Sequence, residues 1–147
     1  MPNNTDLAPV QYNEYSTLVE VGIRSASHAF VDDNKLNREW QALRFHAKPD
    51  YRLAQREYAE FRNALRANGA NMIDLNTSDR LTIDSIYTRD SILVSPQGII
   101  LCNMGRASRT PEAEENAAVY RAYHERTSPL VPFPPQLYAK LPHIVKK

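Results

Sequence analysis

Ionisable side chains crowd the stretch IDSIYTRD at positions 83–90, directly before a run of aliphatic residues. The stretch carries two carboxylates, a phenol and a guanidinium: Asp84, Tyr87, Arg89 and Asp90. A second polar loop, residues 103–109, follows the same aliphatic run and ends on Arg109. A carboxylate accepts paired N–H bonds from a planar guanidinium, and an arginine binds a carboxylate through its own fork. This composition therefore suits recognition of a zwitterionic amino acid.

A predicted β-hairpin lies between the two polar segments. Its strands are the apolar runs at 91–94 and 99–102, joined by SPQG, whose proline and glycine occupy the positions of a type I turn. Both runs are apolar on successive residues, which predicts burial on both faces. Because a hairpin returns the chain to where it started, the two polar segments should meet at one end of the sheet.

The clearest helix pattern covers residues 50–68. Asp50 can cap its N-terminus, and Gly69 stands where a left-handed residue ends a helix. An apolar stripe at helical spacing consists of Leu53, Tyr58, Phe61 and Leu65. Strands are predicted on either side, at 17–23 and 70–75, so this part of the chain has the order strand, helix, strand.

Two further segments have helical character. Residues 35–45 form a weak pattern whose apolar residues, Leu36, Trp40 and Leu43, share one face. A sharper helix start lies at Thr110, which we expect to be the N-cap, with Pro111 in the first helical position and acidic residues after it. This helix is expected to end near residue 124. The element order predicts an α/β fold.

Five of the ten prolines lie in residues 128–147. Proline at this density breaks helices and is excluded from central strands. We therefore expect one domain over residues 12–126 and an extended or disordered tail over residues 127–147.

The composition excludes several classes of protein. Four widely spaced glycines cannot form the common phosphate-binding loops. The formal net charge is +1 with interspersed signs, so we expect no nucleic-acid partner. No stretch approaches the ~20 apolar residues of a membrane span, so we expect no membrane partner. One cysteine excludes an internal disulfide and a cysteine-rich zinc site, which fits a cytoplasmic protein with no cofactor or metal.

Spacing alone leaves a second interpretation of the polar cluster open. Charged residues beside a hairpin commonly form structural ion pairs of small energetic value. In that interpretation Asp84 and Asp90 are a loop cap and a partner of Arg89, and the chain is an ordinary α/β domain without a site.

The segment SIYTRDSILVSPQGIILCNMGRASRTPEAE resembles the guanidine-modifying enzymes, which include arginine deiminases, dimethylarginine dimethylaminohydrolases and amidinotransferases. The resemblance covers about residues 12–124 and is most specific over residues 84–114, where the hairpin length and the spacing from Asp90 to Arg109 both fit. It implies an incomplete α/β propeller, with about two of five ββαβ blades present. It also implies a small guanidine substrate, arginine or methylated arginine, that the complete enzyme converts to citrulline.

The resemblance assigns roles position by position. Asp90 would bind the substrate guanidinium, and Asp84 would help to hold the substrate. Tyr87 would lie beside the guanidinium plane, and Arg109 would bind the α-carboxylate. Arg89 matches the deiminase-like pattern, whereas dimethylarginine dimethylaminohydrolases carry a carboxylate there, which weakens the case for a methylated substrate.

The catalytic residues of the family have no counterpart here. These enzymes attack the guanidinium carbon with a cysteine and use a histidine as general acid and base. Both lie in the C-terminal half of complete members, the histidine after a Gly-Gly-Asp-like segment that this sequence lacks. Cys102 lies at the end of a hairpin strand, where a buried structural thiol is expected.

We therefore expect the N-terminal part of such a hydrolase, from a truncated or frameshifted reading frame, inactive by itself. Deimination, dimethylaminohydrolysis and amidino transfer remain open. An arginine-binding module or a partner subunit that completes a propeller is an alternative. Unpaired strand edges would also allow self-association.

Overall fold

The computed structural model describes residues 15–95, 98–127 and 137–138, and contains two small sheets. The first sheet pairs β1 (Glu20–Ile23) with β2 (Asn71–Asp74) in parallel. Both strands were predicted, although each is shorter than its apolar run. The parallel pairing is that of a strand, helix, strand unit.

The second sheet contains the predicted hairpin, formed by β3 (Ile92–Ser95) and β4 (Gly98–Leu101) in antiparallel pairing. The turn residues 96–97 lie outside the described residues. A third strand, β5 (Leu137–Tyr138), pairs in parallel with β4. The prediction that both faces of the hairpin strands are buried is wrong at Leu93, which is 58% exposed. One face of β3 therefore has no cover in the described part of the chain.

In the described ranges, four α-helices connect these strands: α1 (Ala26–Phe30), α2 (Asp33–Glu39), α3 (Tyr51–Ala67) and α4 (Glu112–Thr127). The first three lie between β1 and β2, and α4 follows the hairpin and precedes β5. The second half of the chain therefore has the order ββαβ, and the mixed α/β fold is confirmed. Among the described residues, no helix combines the length and the apolar character that crossing a membrane requires.

The ends of α3 follow the predicted signals. The Asp50 carboxylate accepts a hydrogen bond from the Leu53 amide at 2.8 Å, and Gly69 has a φ of +83°. The predicted apolar stripe is only partly correct, because Leu53 and Phe61 are 43% and 50% exposed. The helix instead turns Tyr51, Ala54 and Tyr58 towards the core, since α3 packs on α1.

The first apolar cluster lies around α1 and α2. Its buried members are Ala26, Ala29, Phe30, Leu36, Leu43 and Ile83. The predicted shared face of Leu36, Trp40 and Leu43 is confirmed, although α2 ends at Glu39. Helix α1 was not predicted, and the Ser25 hydroxyl caps it by accepting a bond from the His28 amide at 3.1 Å.

The second cluster lies between α4 and the hairpin, where Ala113 and Ala117 pack on Ile92, Ile99 and Leu101. The expected N-cap role of Thr110 is wrong. Thr110 has helical backbone angles (φ −53°, ψ −38°) because it ends the 3-10 turn Ala107–Arg109, whereas an N-cap is extended. The helix also continues beyond residue 124, to Thr127.

Most of the expected tail, residues 127–147, lies outside the described residues. Thr127 is the last residue of α4, and Leu137–Tyr138 is the short strand β5. The domain boundary after residue 126 stays a prediction.

Candidate functional site

The hairpin brings the two polar segments together, as its geometry predicted. Two 3-10 turns, Ile83–Ile86 and Thr88–Asp90, lead into β3, and the turn Ala107–Arg109 follows β4. The Cys102 amide donates to the Ser91 carbonyl at 3.0 Å at the open end of the hairpin. Arg106, which precedes the last turn, reaches back to the first turn, and Arg109, within the last turn, reaches back to the second.

Arg109 is the centre of this contact. Its Nε and Nη2 donate to the two carboxylate oxygens of Glu112, each at 2.8 Å. Nη2 also donates to the Tyr87 carbonyl at 2.7 Å, and Nη1 donates to Asp90 Oδ2 at 3.4 Å. The hydrogen bonds to Glu112 raise the pKa of Arg109. The guanidinium is thus fixed in one orientation, with Nη1 as its least engaged nitrogen.

Asp90 and Tyr87 form the open side of the cluster. The Asp90 side chain is 64% exposed, and Tyr87 is exposed as well. Arg89 is exposed in the same turn. A ligand in solution can therefore reach the exposed Tyr87 side chain and the Asp90 carboxylate, which lies beside Nη1 of Arg109.

Asp84 lies in a different environment, because its side chain is only 7% exposed. Its Oδ2 accepts a bond from Nη1 of Arg106 at 2.8 Å, and the same nitrogen donates to the Leu43 carbonyl at 3.0 Å. The pairing of Asp84 with Arg106 was not predicted. It joins the turn before β3 to the loop after β4 and to the segment after α2.

A buried arginine holds the 3-10 turn Ile83–Ile86 from the interior of the protein. Arg24 is 0% exposed and follows β1 directly. Its Nε donates to the Asn76 carbonyl at 3.1 Å, its Nη1 to the Ser85 carbonyl at 3.0 Å and its Nη2 to Asn116 Oδ1 at 2.6 Å. Burial lowers the pKa of Arg24. The Arg24 side chain thus links the ends of both parallel strands to the turn that carries Asp84 and to helix α4.

The network continues from α4 to the second turn. Asn116 Nδ2 donates to Ser91 Oγ at 2.7 Å, and Ser91 Oγ donates to the Thr88 carbonyl at 3.1 Å. The Thr88 hydroxyl donates to the Gly22 carbonyl at 3.3 Å, which returns the network to β1. Both turns that carry candidate site residues are therefore held by buried polar groups.

Sequence reasoning missed Arg24, Glu112 and Asn116 as members of this arrangement. A signal was present, because Glu112 and Asn116 are four residues apart and flank Ala113 on a helix that must bury one face. A polar pair at that spacing beside buried alanines indicates partners in the interior.

Cys102 has the character of a structural thiol. Burial, and to a smaller extent the Asp90 carboxylate, raises the pKa of the Cys102 thiol. Because the thiolate is the nucleophile, a raised pKa disfavours attack. Within the described ranges, no group of three or more His, Cys, Asp or Glu side chains is placed to hold a metal ion.

No protein-family profile and no curated protein matches the sequence. Solved structures of dimethylarginine dimethylaminohydrolase are similar in fold. An adduct with 4-chloro-2-hydroxymethylpyridine is 20% identical, with a TM-score of 0.56 over 84% of this chain and 42% of that one. A cysteine-to-serine mutant from Pseudomonas aeruginosa, complexed with citrulline, is 19% identical, with a TM-score of 0.58 over 85% and 44%.

A third structure, a histidine-to-glycine variant as the adduct with S-methyl-L-thiocitrulline, is 19% identical, with a TM-score of 0.54 over 72% of this chain and 39% of that one. The chain spans less than half the length of each of these proteins. The likeness shows that this chain has a fold similar to part of the dimethylarginine dimethylaminohydrolase fold.

Proposed function

We propose that this chain forms the substrate-binding part of a guanidine-modifying hydrolase related to dimethylarginine dimethylaminohydrolase. The observation that carries the proposal is the convergence of Asp90, Tyr87 and Arg109 at the open end of the hairpin. The similar folds support it, because two of those structures hold citrulline or an adduct with S-methyl-L-thiocitrulline.

Each side chain has a role that its surroundings allow. The exposed Asp90 carboxylate accepts two N–H groups of a ligand guanidinium, a geometry that gives strong, directional pairing. Tyr87 flanks the guanidinium plane, where a cation is attracted to an aromatic face. Nη1 of Arg109 points to the ligand α-carboxylate, and Asp84 and Arg89 complete the set of contacts.

The chemical step needs groups from outside this set. Hydrolysis of the guanidinium proceeds through attack by a thiolate, with a histidine moving the protons. The Cys102 thiol is a poor candidate for that nucleophile because its pKa is raised. We infer that the chain is the N-terminal part of a propeller, that a further segment or partner supplies cysteine and histidine, and that the chain alone binds without turnover.

One observation favours a second candidate, a structural α/β domain with no ligand. Two N–H groups of Arg109 are bonded to the buried Glu112, and Asp84 is paired with Arg106. These carboxylates and guanidinium groups already have partners within the chain. In this second candidate, Asp90 contributes to the stability of the fold and binds no ligand.

Titration calorimetry of the full chain with L-arginine and with asymmetric dimethylarginine separates the two candidates. Loss of a charge-assisted pair in Asp90→Asn is expected to weaken binding about ten- to one-hundredfold. The matched control Asp79→Asn changes another exposed aspartate and should leave affinity unchanged. Absence of binding by the unaltered chain would support the structural candidate.

A citrulline assay tests the inferred lack of turnover. The purified chain is incubated with each ligand, and Cys102→Ser is assayed beside it. No product is expected from either protein. Product that survives Cys102→Ser would contradict the inferred need for a cysteine, and product lost in that variant would make Cys102 the nucleophile.

A further inference from the structure

The ion pair between Asp84 and Arg106 joins two side chains of very different exposure. The Asp84 side chain is 7% exposed and the Arg106 side chain is 51% exposed. Only Nη1 of Arg106 is bonded to the carboxylate, and that nitrogen is shared with the Leu43 carbonyl. A guanidinium can give a carboxylate two parallel hydrogen bonds. The observed contact therefore falls short of the best pairing available to Asp84.

The two partners depend on this contact unequally. A buried carboxylate without a cationic partner is strongly disfavoured, so Asp84 needs a guanidinium or an ammonium group beside it. Arg106 is already half in solvent, so its release to water costs little. Replacement of Arg106 by a ligand guanidinium would leave the charge at Asp84 balanced.

We propose that Arg106 occupies on Asp84 the position of a ligand guanidinium, and that it thereby competes with the ligand and sets the affinity of the site. The inference rests on the proposed function, in which Asp84 holds part of the substrate. An arginine of this exposure competes weakly. Its removal is expected to tighten binding of a guanidinium ligand about two- to fivefold.

The test compares Arg106→Gln with the unaltered full chain by titration calorimetry with L-arginine. A dissociation constant lowered about two- to fivefold supports the proposal. Asp84→Asn in the Arg106→Gln background should abolish the gain. The control is Arg80→Gln, because Arg80 is also half-exposed, at 57%, and also pairs with carboxylates, those of Glu114 and Glu115. It should leave the affinity unchanged.

Arg106→Gln leaves a buried carboxylate without its partner, so the variant is also studied by thermal unfolding. Millimolar methylguanidine is expected to raise the Tm of Arg106→Gln more than that of the unaltered chain, because the added cation takes the vacated position. An equal effect on both proteins, together with unchanged or weaker L-arginine affinity, would overturn the proposal.

The outcomes also separate this proposal from the proposed function. If the unaltered chain binds L-arginine and Arg106→Gln binds it equally well, only the competition by Arg106 is refuted. If neither protein binds L-arginine and methylguanidine stabilises neither selectively, both proposals fail.

Discussion

Replacement of the buried Arg24 by methionine tests whether polar contacts hold the two sheets together. Methionine has a similar length and no donors, so Arg24→Met leaves three acceptors without their partner: the Asn76 and Ser85 carbonyls and Asn116 Oδ1. Each buried acceptor left unpaired costs about 1–3 kcal/mol. Relief of the desolvation penalty of the guanidinium offsets part of that cost.

We expect Arg24→Met to lower the free energy of unfolding by about 2–4 kcal/mol, because two of the acceptors, the Ser85 carbonyl and Asn116 Oδ1, are in buried contacts and the relieved desolvation offsets part of their cost. That is a large part of the total stability of a typical domain, about 5–15 kcal/mol. Urea denaturation followed by circular dichroism gives the value from the shift of the midpoint at constant slope.

The control Arg80→Met removes an arginine that is 57% exposed, although it too has carboxylate partners. Its effect on the free energy of unfolding should be much smaller than that of Arg24→Met, because exposed ion pairs contribute little to stability. A double-mutant cycle of Arg24→Met with Asn116→Leu should give a coupling of about 1–3 kcal/mol, since the two side chains share one bond. A loss below 1 kcal/mol in Arg24→Met, or additive effects in the cycle, would refute the reasoning.

Two further predictions concern packing and pH. A Cβ on Gly22 would collide with the Tyr120 hydroxyl group, so Gly22→Ala should destabilise the fold by about 1–3 kcal/mol in urea denaturation. Gly105→Ala, where an added Cβ has open space, should be nearly neutral, and equal effects of the two would contradict this. The hydrogen bonds from Arg62 lower the pKa of Asp74, so the stability that this pair contributes is present above about pH 4 and is lost as pH falls further. Asp74 is nearly half-exposed, so Asp74→Asn should remove only about 1 kcal/mol or less of acid-dependent stability, and identical pH profiles for both proteins would contradict the assignment.

Several signals carried by neighbouring residues predicted the structure correctly, although the expected N-cap at Thr110 was wrong. The cap at Asp50, the left-handed Gly69 and the hairpin depend on residues within a few positions of one another, where backbone preference decides the conformation. The position of the hairpin then predicted that the polar segments meet. That inference needed only antiparallel geometry, and it placed Arg109 beside Asp90 and Tyr87.

Partners distant in sequence could not be identified in the same way. Arg24 and Asn116 are 92 positions apart, and their bond depends on how α4 packs against the end of β1. The prediction of which side of α3 is buried was partly wrong for a related reason. Leu53 and Phe61 satisfy helical periodicity, but the side that is buried is decided by the contact with α1, which periodicity does not contain.

The buried polar groups explain how the candidate site residues keep their positions. The apolar cluster around α1 and α2 includes Ile83, whereas the cluster beneath α4 is built on the hairpin, and the two share no member. The segment from Asp84 to Asp90 runs between them. Apolar packing is non-directional and would allow the two turns in this segment to shift relative to each other.

Hydrogen bonds are directional, and the bonds from Arg24 and Asn116 fix both turns against β1 and α4. An ordinary structural connection could fill this interior with apolar side chains at lower desolvation cost. The polar network adds a fixed placement of Asp84 relative to Asp90. It keeps the Asp84 carboxylate buried and the Asp90 carboxylate open to solvent. Under the proposed function, titration calorimetry should therefore show that Arg24→Met weakens L-arginine binding even under conditions in which the variant remains folded.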